Sequence, residues 1–259
     1  MSRPKLFNFS NDKFISKVDG LTEQHQFEIV DVEDRLELTP QQVLQSRYDI
    51  IEMAPNDYEQ FKPLLPAVDW KVSQVGMADT LILRQGVYRP INLTTGTLIE
   101  LIKKNHQHIN SQLPVIVVGE LHFVIGVIAQ LALNGFGEII YSLSNHNDAF
   151  ADIVKKKIRA FVFDLKLRAV HINELTTSDV NGALFISDFK KVINREAYEL
   201  LTYFNFLSQG ALFIDCNSIT DGSLVEDARK AEIAVIDEVE FITQKYRYLQ
   251  DNLKISPKV

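Results

Sequence analysis

From Pro114 to Asn145 the chain reads PVIVVGELHFVIGVIAQLALNGFGEIIYSLSN. Residues 115–118 are an unbroken apolar run of strand length, stopped by Gly119. The apolar run 123–133 is too long for a strand and reads as a helix. It ends in Asn134-Gly135-Phe136-Gly137, and a second strand follows over 138–142. The alternation continues, with strands expected at 160–163, 183–186, 211–215 and 234–236 and helices at 149–156, 196–206, 223–230 and 240–253. Strand and helix in alternation require a parallel sheet covered on both faces. An all-helical or all-antiparallel second half is excluded.

The first hundred residues have a less regular rhythm. Strands are expected at 27–32 and 48–53, the second stopped by Pro55, and a short helix starts at Thr39-Pro40, cap and first helical residue. Runs 80–83 and 87–89 flank Gln85-Gly86 as a hairpin. Residues 94–104 turn helical, with threonines at the start and Lys103 and Lys104 in the last turn. The polar stretch 104–112, which holds His106 and His108, marks a seam. Two domains are therefore expected in the 259 residues. One is an N-terminal α/β lobe, 1–104, completed by the C-terminal helix of 237–259. The other, 105–236, is Rossmann-like.

Bulk properties narrow the function. A net charge of −7 disfavours a nucleic-acid partner, which needs a concentrated positive face. The single cysteine, Cys216, rules out a disulfide framework and a cysteine zinc cluster and suits a reducing compartment. The most apolar run, 121–133, contains His122 and Gln130 and is too short to span a bilayer. A cytoplasmic location without membrane attachment is expected.

From about Tyr48 to the C-terminus, the order of segments resembles the shikimate dehydrogenase family. Gly76-Met77-Ala78-Asp79-Thr80-Leu81 is similar to that family's G-A-V-N-T-L. Asn134 to Ile139 is similar to its turn into the second Rossmann strand. Asp215, followed by Gly222 to Arg229, is similar to its D…T-P-L-L-x-x-A-R segment. Asp237 to Tyr248 is similar to its closing helix, D-G-L-x-M-L-x-x-Q. The resemblance implies an N-terminal substrate domain, a Rossmann NADP domain and a last helix that returns to the first domain.

The family's functional positions are altered. The resemblance implies a catalytic lysine in N-V-T-x-P-x-K and a catalytic aspartate in N-T-D-x-x-G, facing each other across the interdomain cleft. Aligning on Pro55 puts Asp57 at the lysine position, and an ionised carboxylate only accepts hydrogen bonds. Aligning on Gly96 puts Leu93 at the aspartate position; a one-residue slip offers Thr94. Neither is an acid or base at neutral pH. The substrate-holding S-x-S-P has no counterpart, since only Ser10 and Ser16 lie in that region. The family's asparagine is Asp79. Its closing-helix glutamine is Lys245, with Gln244 one place earlier.

The cofactor loop departs as well. The family's G-A-G-G-A aligns with Gly119-Glu120-Leu121-His122-Phe123. Leu121 and His122 put side chains where bare backbone should meet phosphate. Glu120 places a negative charge at the helix N-terminus, where an anionic ligand would otherwise sit. Residues 142–146, Ser-Leu-Ser-Asn-His, offer no arginine or lysine to a 2′-phosphate. No cofactor is expected.

Other features carry less. His106 and His108 in the polar seam lack an acid partner for a metal, and no metal site is expected. His122 beside Glu120 reads as helix-start chemistry rather than an acid–base pair. Lys155-Lys156-Lys157 complements a helix C-terminus, Cys216 is a small core residue, and Tyr203-Phe204-Asn205-Phe206 is packing with an exposed part open to a partner. Asp57, Asp79, Thr94, Thr95 and Lys245 together could hold a small polar ligand. The leading reading is a catalytically inactive shikimate-dehydrogenase-like pseudoenzyme. Its partner is then another protein, a second copy in a homodimer, or a small polar ligand. The alternative is a divergent NAD(P)-dependent oxidoreductase of the shikimate/quinate type; a further one is a small-molecule sensor using the cleft.

Overall fold

The computed structural model describes residues 3–9, 27–30, 38–54, 56–66, 77–105, 109–144, 148–160, 162, 164–177, 179–189, 195–217 and 223–254. The chain forms two compact units, Met1–Gly96 with Thr243–Val259, and Thr97–Ile242.

The first unit holds a mixed sheet of β1 (Lys5–Asn8), β2 (Glu28–Val30), β3 (Ile50–Glu52), β4 (Thr80–Arg84) and β5 (Val87–Ile91), in the order β2-β1-β3-β4-β5. β1 pairs in parallel with β2 and β3, while β4 runs antiparallel to β3 and β5. The β4–β5 hairpin forms because Gln85 (φ 51°) and Gly86 (φ 78°) both take left-handed backbone, which matches the twist of the strands. Helix α1 (Pro40–Gln45) starts in a capping box: Gln42 N donates to Thr39 Oγ1, and Thr39 N donates to Gln42 Oε1 at 2.8 Å. A one-turn helix α2 (Tyr58–Phe61) runs into a 3₁₀ turn at Lys62–Leu64. Phe7, Val43, Ile51, Phe61 and Leu81 pack the core between them. β1 goes unannounced in the sequence. Four residues are too few to show a period, yet three of them are buried.

The second unit is a six-stranded sheet, all parallel, in the order β11-β10-β9-β6-β7-β8. Its strands are β6 (Val115–Gly119), β7 (Glu138–Leu143), β8 (Lys166–Ala169), β9 (Gly182–Asp188), β10 (Leu207–Asn217) and β11 (Ala234–Ile236). Helices α3 (Leu93–Lys104), α4 (Leu121–Leu133), α5 (Asp148–Arg159), α6 (Ile172–Leu175), α7 (Arg195–Leu201), α8 (Ser223–Lys230) and α9 (Glu238–Lys254) complete the order. Ile116, Phe185 and Phe213 stand side by side in register, and the two phenylalanine rings stack at 4.8 Å. Because β9 follows β8 in the chain but pairs with β6, the strand order reverses between β6 and β9. That is where ligands of open α/β sheets bind.

Three expectations are corrected. The strand placed at 160–163 is at Lys166–Ala169; Ala160 turns off the end of α5, and Phe161 and Phe163 lie outside the described residues. An edge strand reading Lys-Leu-Arg-Ala is half exposed and carries no apolar run. The helix placed at 196–206 ends at Leu201, because Phe204 takes φ 48° in the turn that leads into β10. Phe204 and Phe206 are buried there, and Tyr203 is 71% exposed. The boundary between the units falls at Gly96/Thr97 within α3 and at Ile242/Thr243 within α9, not at 104–112. A helix carries the chain across without a break, so composition does not mark the crossing; His106 and His108 lie outside the described residues. Among the described residues, no helix is long and apolar enough to cross a membrane.

Candidate functional site

In the first unit, Asn8, Glu52 and Thr80 lie side by side where β1 and β3 end and β4 begins. All three are buried. Helix α9 buries Phe241, Ile242, Lys245, Tyr246 and Leu249, a spacing that forms one face. A lysine on such a face needs a counter-ion. Glu52 supplies it: Lys245 Nζ stands 3.2 Å from Glu52 Oε1, with the two side chains 9% and 7% exposed. The Tyr246 hydroxyl donates to Glu52 Oε2 at 3.3 Å. Burial, reinforced by the Glu52 charge and hydrogen bond, pushes the Tyr246 hydroxyl well above its usual range, so it stays a donor. Glu52 is the member of this site that sequence reasoning missed. Its signal is a single carboxylate inside the apolar run of β3.

Asp79 is bound to helix α3. Its Oδ1 accepts from Leu93 N at 2.6 Å and Thr80 Oγ1 at 3.0 Å, and its Oδ2 accepts from Thr94 N at 2.8 Å. The amides of a first helical turn have no partner within the helix, and a carboxylate suits them in both hydrogen bonding and charge. Thr95 N is satisfied by Asn92 Oδ1 at 3.0 Å. Leu93 is fully buried. Thr94 is half-buried and Thr95 buried. Gly96 is required by packing, since a Cβ there would lie 2.6 Å from Tyr248 Cε1. Asp57, half-buried, precedes α2 and makes no capping bond through its side chain. Of the five residues singled out as a polar group, hydrogen bonds join Asp79 to Thr94, and Lys245 joins Glu52 instead.

In the second unit, Gly119 closes β6 and accepts a hydrogen bond from Ser144 N at 3.0 Å. A Cβ on Gly119 would lie 2.7 Å from Phe123 Cδ1 and 3.3 Å from the Asp188 carbonyl oxygen. The open side of the glycine is thus filled by the buried Phe123 ring. In a dinucleotide turn the first glycine serves the tight turn itself, and the second lets backbone meet pyrophosphate. Leu121 and His122, the residues the sequence singles out as obstructive, are half-buried at the start of α4. Glu120 is the N-cap residue, in extended backbone, and its side chain makes no capping bond. The described ends of β6, β7, β9 and β10 carry Glu120, Asp188 and Asp215 and no lysine or arginine. Ser187 Oγ donates to Asp215 Oδ1 at 3.2 Å, both residues buried. Asn145 and His146 lie outside the described residues. No group of three or more metal-ligating side chains occurs among the described residues.

Together these units define a shikimate-dehydrogenase-like α/β fold: a smaller mixed-sheet unit that receives the last helix, and a Rossmann-like parallel sheet. Solved structures place it further. Quinate dehydrogenase from Corynebacterium glutamicum, in complex with NAD, aligns with TM-score 0.73 and 13% identity over 98% of this chain and 94% of that one. Shikimate 5-dehydrogenase from Listeria monocytogenes, in complex with shikimate and NAD, gives 0.68 and 15% over 95% and 90%. The Thermus thermophilus enzyme, in complex with shikimate, gives 0.67 and 14% over 100% and 95%. No family model matches the sequence. No curated protein matches it either. At these identities the likeness speaks for the fold.

Proposed function

We propose that this chain is a catalytically inactive relative of the shikimate and quinate dehydrogenases that acts by binding a protein or a ligand other than nicotinamide. The observation that carries the reading is the Phe123 ring packed on Gly119. A pyrophosphate at a helix N-terminus needs close approach and free amides; the turn's one glycine is packed under that ring, and Leu121 and His122 carry side chains at the start of the helix. Chemistry in the first unit points the same way. Hydride transfer to or from a hydroxy acid needs a group that moves the hydroxyl proton. Asp57, and Leu93 or Thr94, stand at the positions where the resemblance implies that group, and none of them suits the task. Asp79 and Lys245, which match substrate-contacting positions of the family, are engaged by Leu93, Thr94 and Glu52.

The second reading, a divergent NAD(P)-dependent oxidoreductase, is favoured by the fold, because proteins sharing it were solved with NAD and shikimate. Steady-state assays separate the two. With shikimate or quinate and either nicotinamide cofactor, no turnover above background is expected. Turnover that disappears in Asp57→Ala overturns the inactive reading.

A further inference from the structure

A groove of about 480 Å³ opens in the first unit between α1, the 3₁₀ turn Lys62–Leu64 and the β4–β5 hairpin. Its floor is apolar: Leu44 and Leu83 are half-buried, and the buried Tyr88 spends its hydroxyl on the Tyr48 carbonyl at 2.9 Å. Leu64, on the wall, is 46% exposed, an apolar side chain held out to solvent beside an apolar floor. Arg47 supplies the charge. It follows α1 in left-handed backbone, φ 53°, with its side chain exposed and no ion pair among the described residues. Asp49, two residues on, spends Oδ2 on Lys5 N at 2.7 Å. No carboxylate stands among the described lining residues, in a chain of net charge −7.

We infer that this groove docks a short segment of a partner protein that presents an aliphatic side chain close to a carboxylate. The aliphatic group would cover Leu44, Leu64 and Leu83, where burial of apolar area drives association. The carboxylate would meet Arg47, whose planar guanidinium takes it by two parallel hydrogen bonds. Gln41 and Gln45, four residues apart on α1, lie on one side of that helix and offer amides to the partner's backbone. Strand addition is not the mode, because Pro90 deprives the edge strand β5 of a donor. All of these residues lie within Met1–Gly96, so the docking is independent of whether the nucleotide turn binds a cofactor.

The test is selection of phage-displayed random short peptides on the full-length chain. Enriched sequences should pair a leucine, isoleucine or valine with a nearby aspartate or glutamate. A synthetic representative should bind at least about tenfold more weakly, roughly 1.4 kcal/mol, to Arg47→Glu, to Leu64→Asp, and when its own acid becomes an amide. Both variants change exposed side chains and should keep the parent's thermal melt. Enriched peptides that lack an acid, or whose binding ignores Arg47→Glu, overturn the inference. So does a failure to enrich any peptide. Sedimentation showing a dimer that Leu64→Asp dissociates also overturns it, by seating a second copy in the groove. Cofactor titration of the same protein reads the inactive-relative proposal separately.

Discussion

Lys245→Met should destabilise the first unit by about 3–5 kcal/mol, because it leaves the Glu52 carboxylate buried without its cation. Glu52 would keep only the Tyr246 hydroxyl, one neutral donor for a full charge. Such a loss is a large share of the ~5–15 kcal/mol that holds a typical domain folded. Glu52→Leu should also destabilise the unit, because it removes the carboxylate that stands 3.2 Å from the Lys245 ammonium. The double variant Glu52→Leu/Lys245→Met is expected to recover most of the loss, since replacing both members of a buried pair with apolar groups is often neutral. Urea unfolding of the four proteins at neutral pH measures this. A single-variant cost under about 1 kcal/mol, in the range of a solvent-exposed pair, would mean that Lys245 reaches water and is open to a ligand.

Gly119→Ala should cost about 1–3 kcal/mol through overpacking, since its methyl meets a buried ring on one side and a backbone carbonyl on the other. The Asp188 carbonyl belongs to the sheet and cannot easily withdraw. Phe123→Ala, which empties the ring's place, should itself cost about 3–5 kcal/mol. Combined, the two should be less destabilising than their sum, because the Phe123 ring is gone when the Gly119 methyl arrives; contacting residues couple by roughly 0.5–3 kcal/mol. Strict additivity would show that Gly119 is not kept open for Phe123.

The parts of the fold legible in the sequence are those with long apolar runs. β6, β7 and β9 are fully buried or nearly so, and α4 is apolar on most of its surface, so their type and order follow from composition and length. β8 was hidden because a half-exposed edge strand has no such run, and β1 because four residues show no period. At the candidate sites, single positions could be aligned but not their partners. Lys245 was legible only through its alignment with the family's closing-helix glutamine; its ion pair with Glu52, on a strand far away in the chain, depends on tertiary packing. The turn after β6 was legible as one glycine followed by bulky residues; the packing of Phe123 on that glycine depends on the direction of side chains at the start of α4.

The most direct measurement is calorimetric titration of NAD and of NADP into the full-length protein. At millimolar cofactor, no saturable heat of binding is expected for either. Phe123 packs on the turn's one glycine, Leu121 and His122 carry side chains at the start of α4, and the described strand ends beside it carry carboxylates without a lysine or arginine. Binding of either cofactor with micromolar affinity, lost on Gly119→Ala, would contradict the closed turn and with it the proposal that the chain has left nicotinamide chemistry.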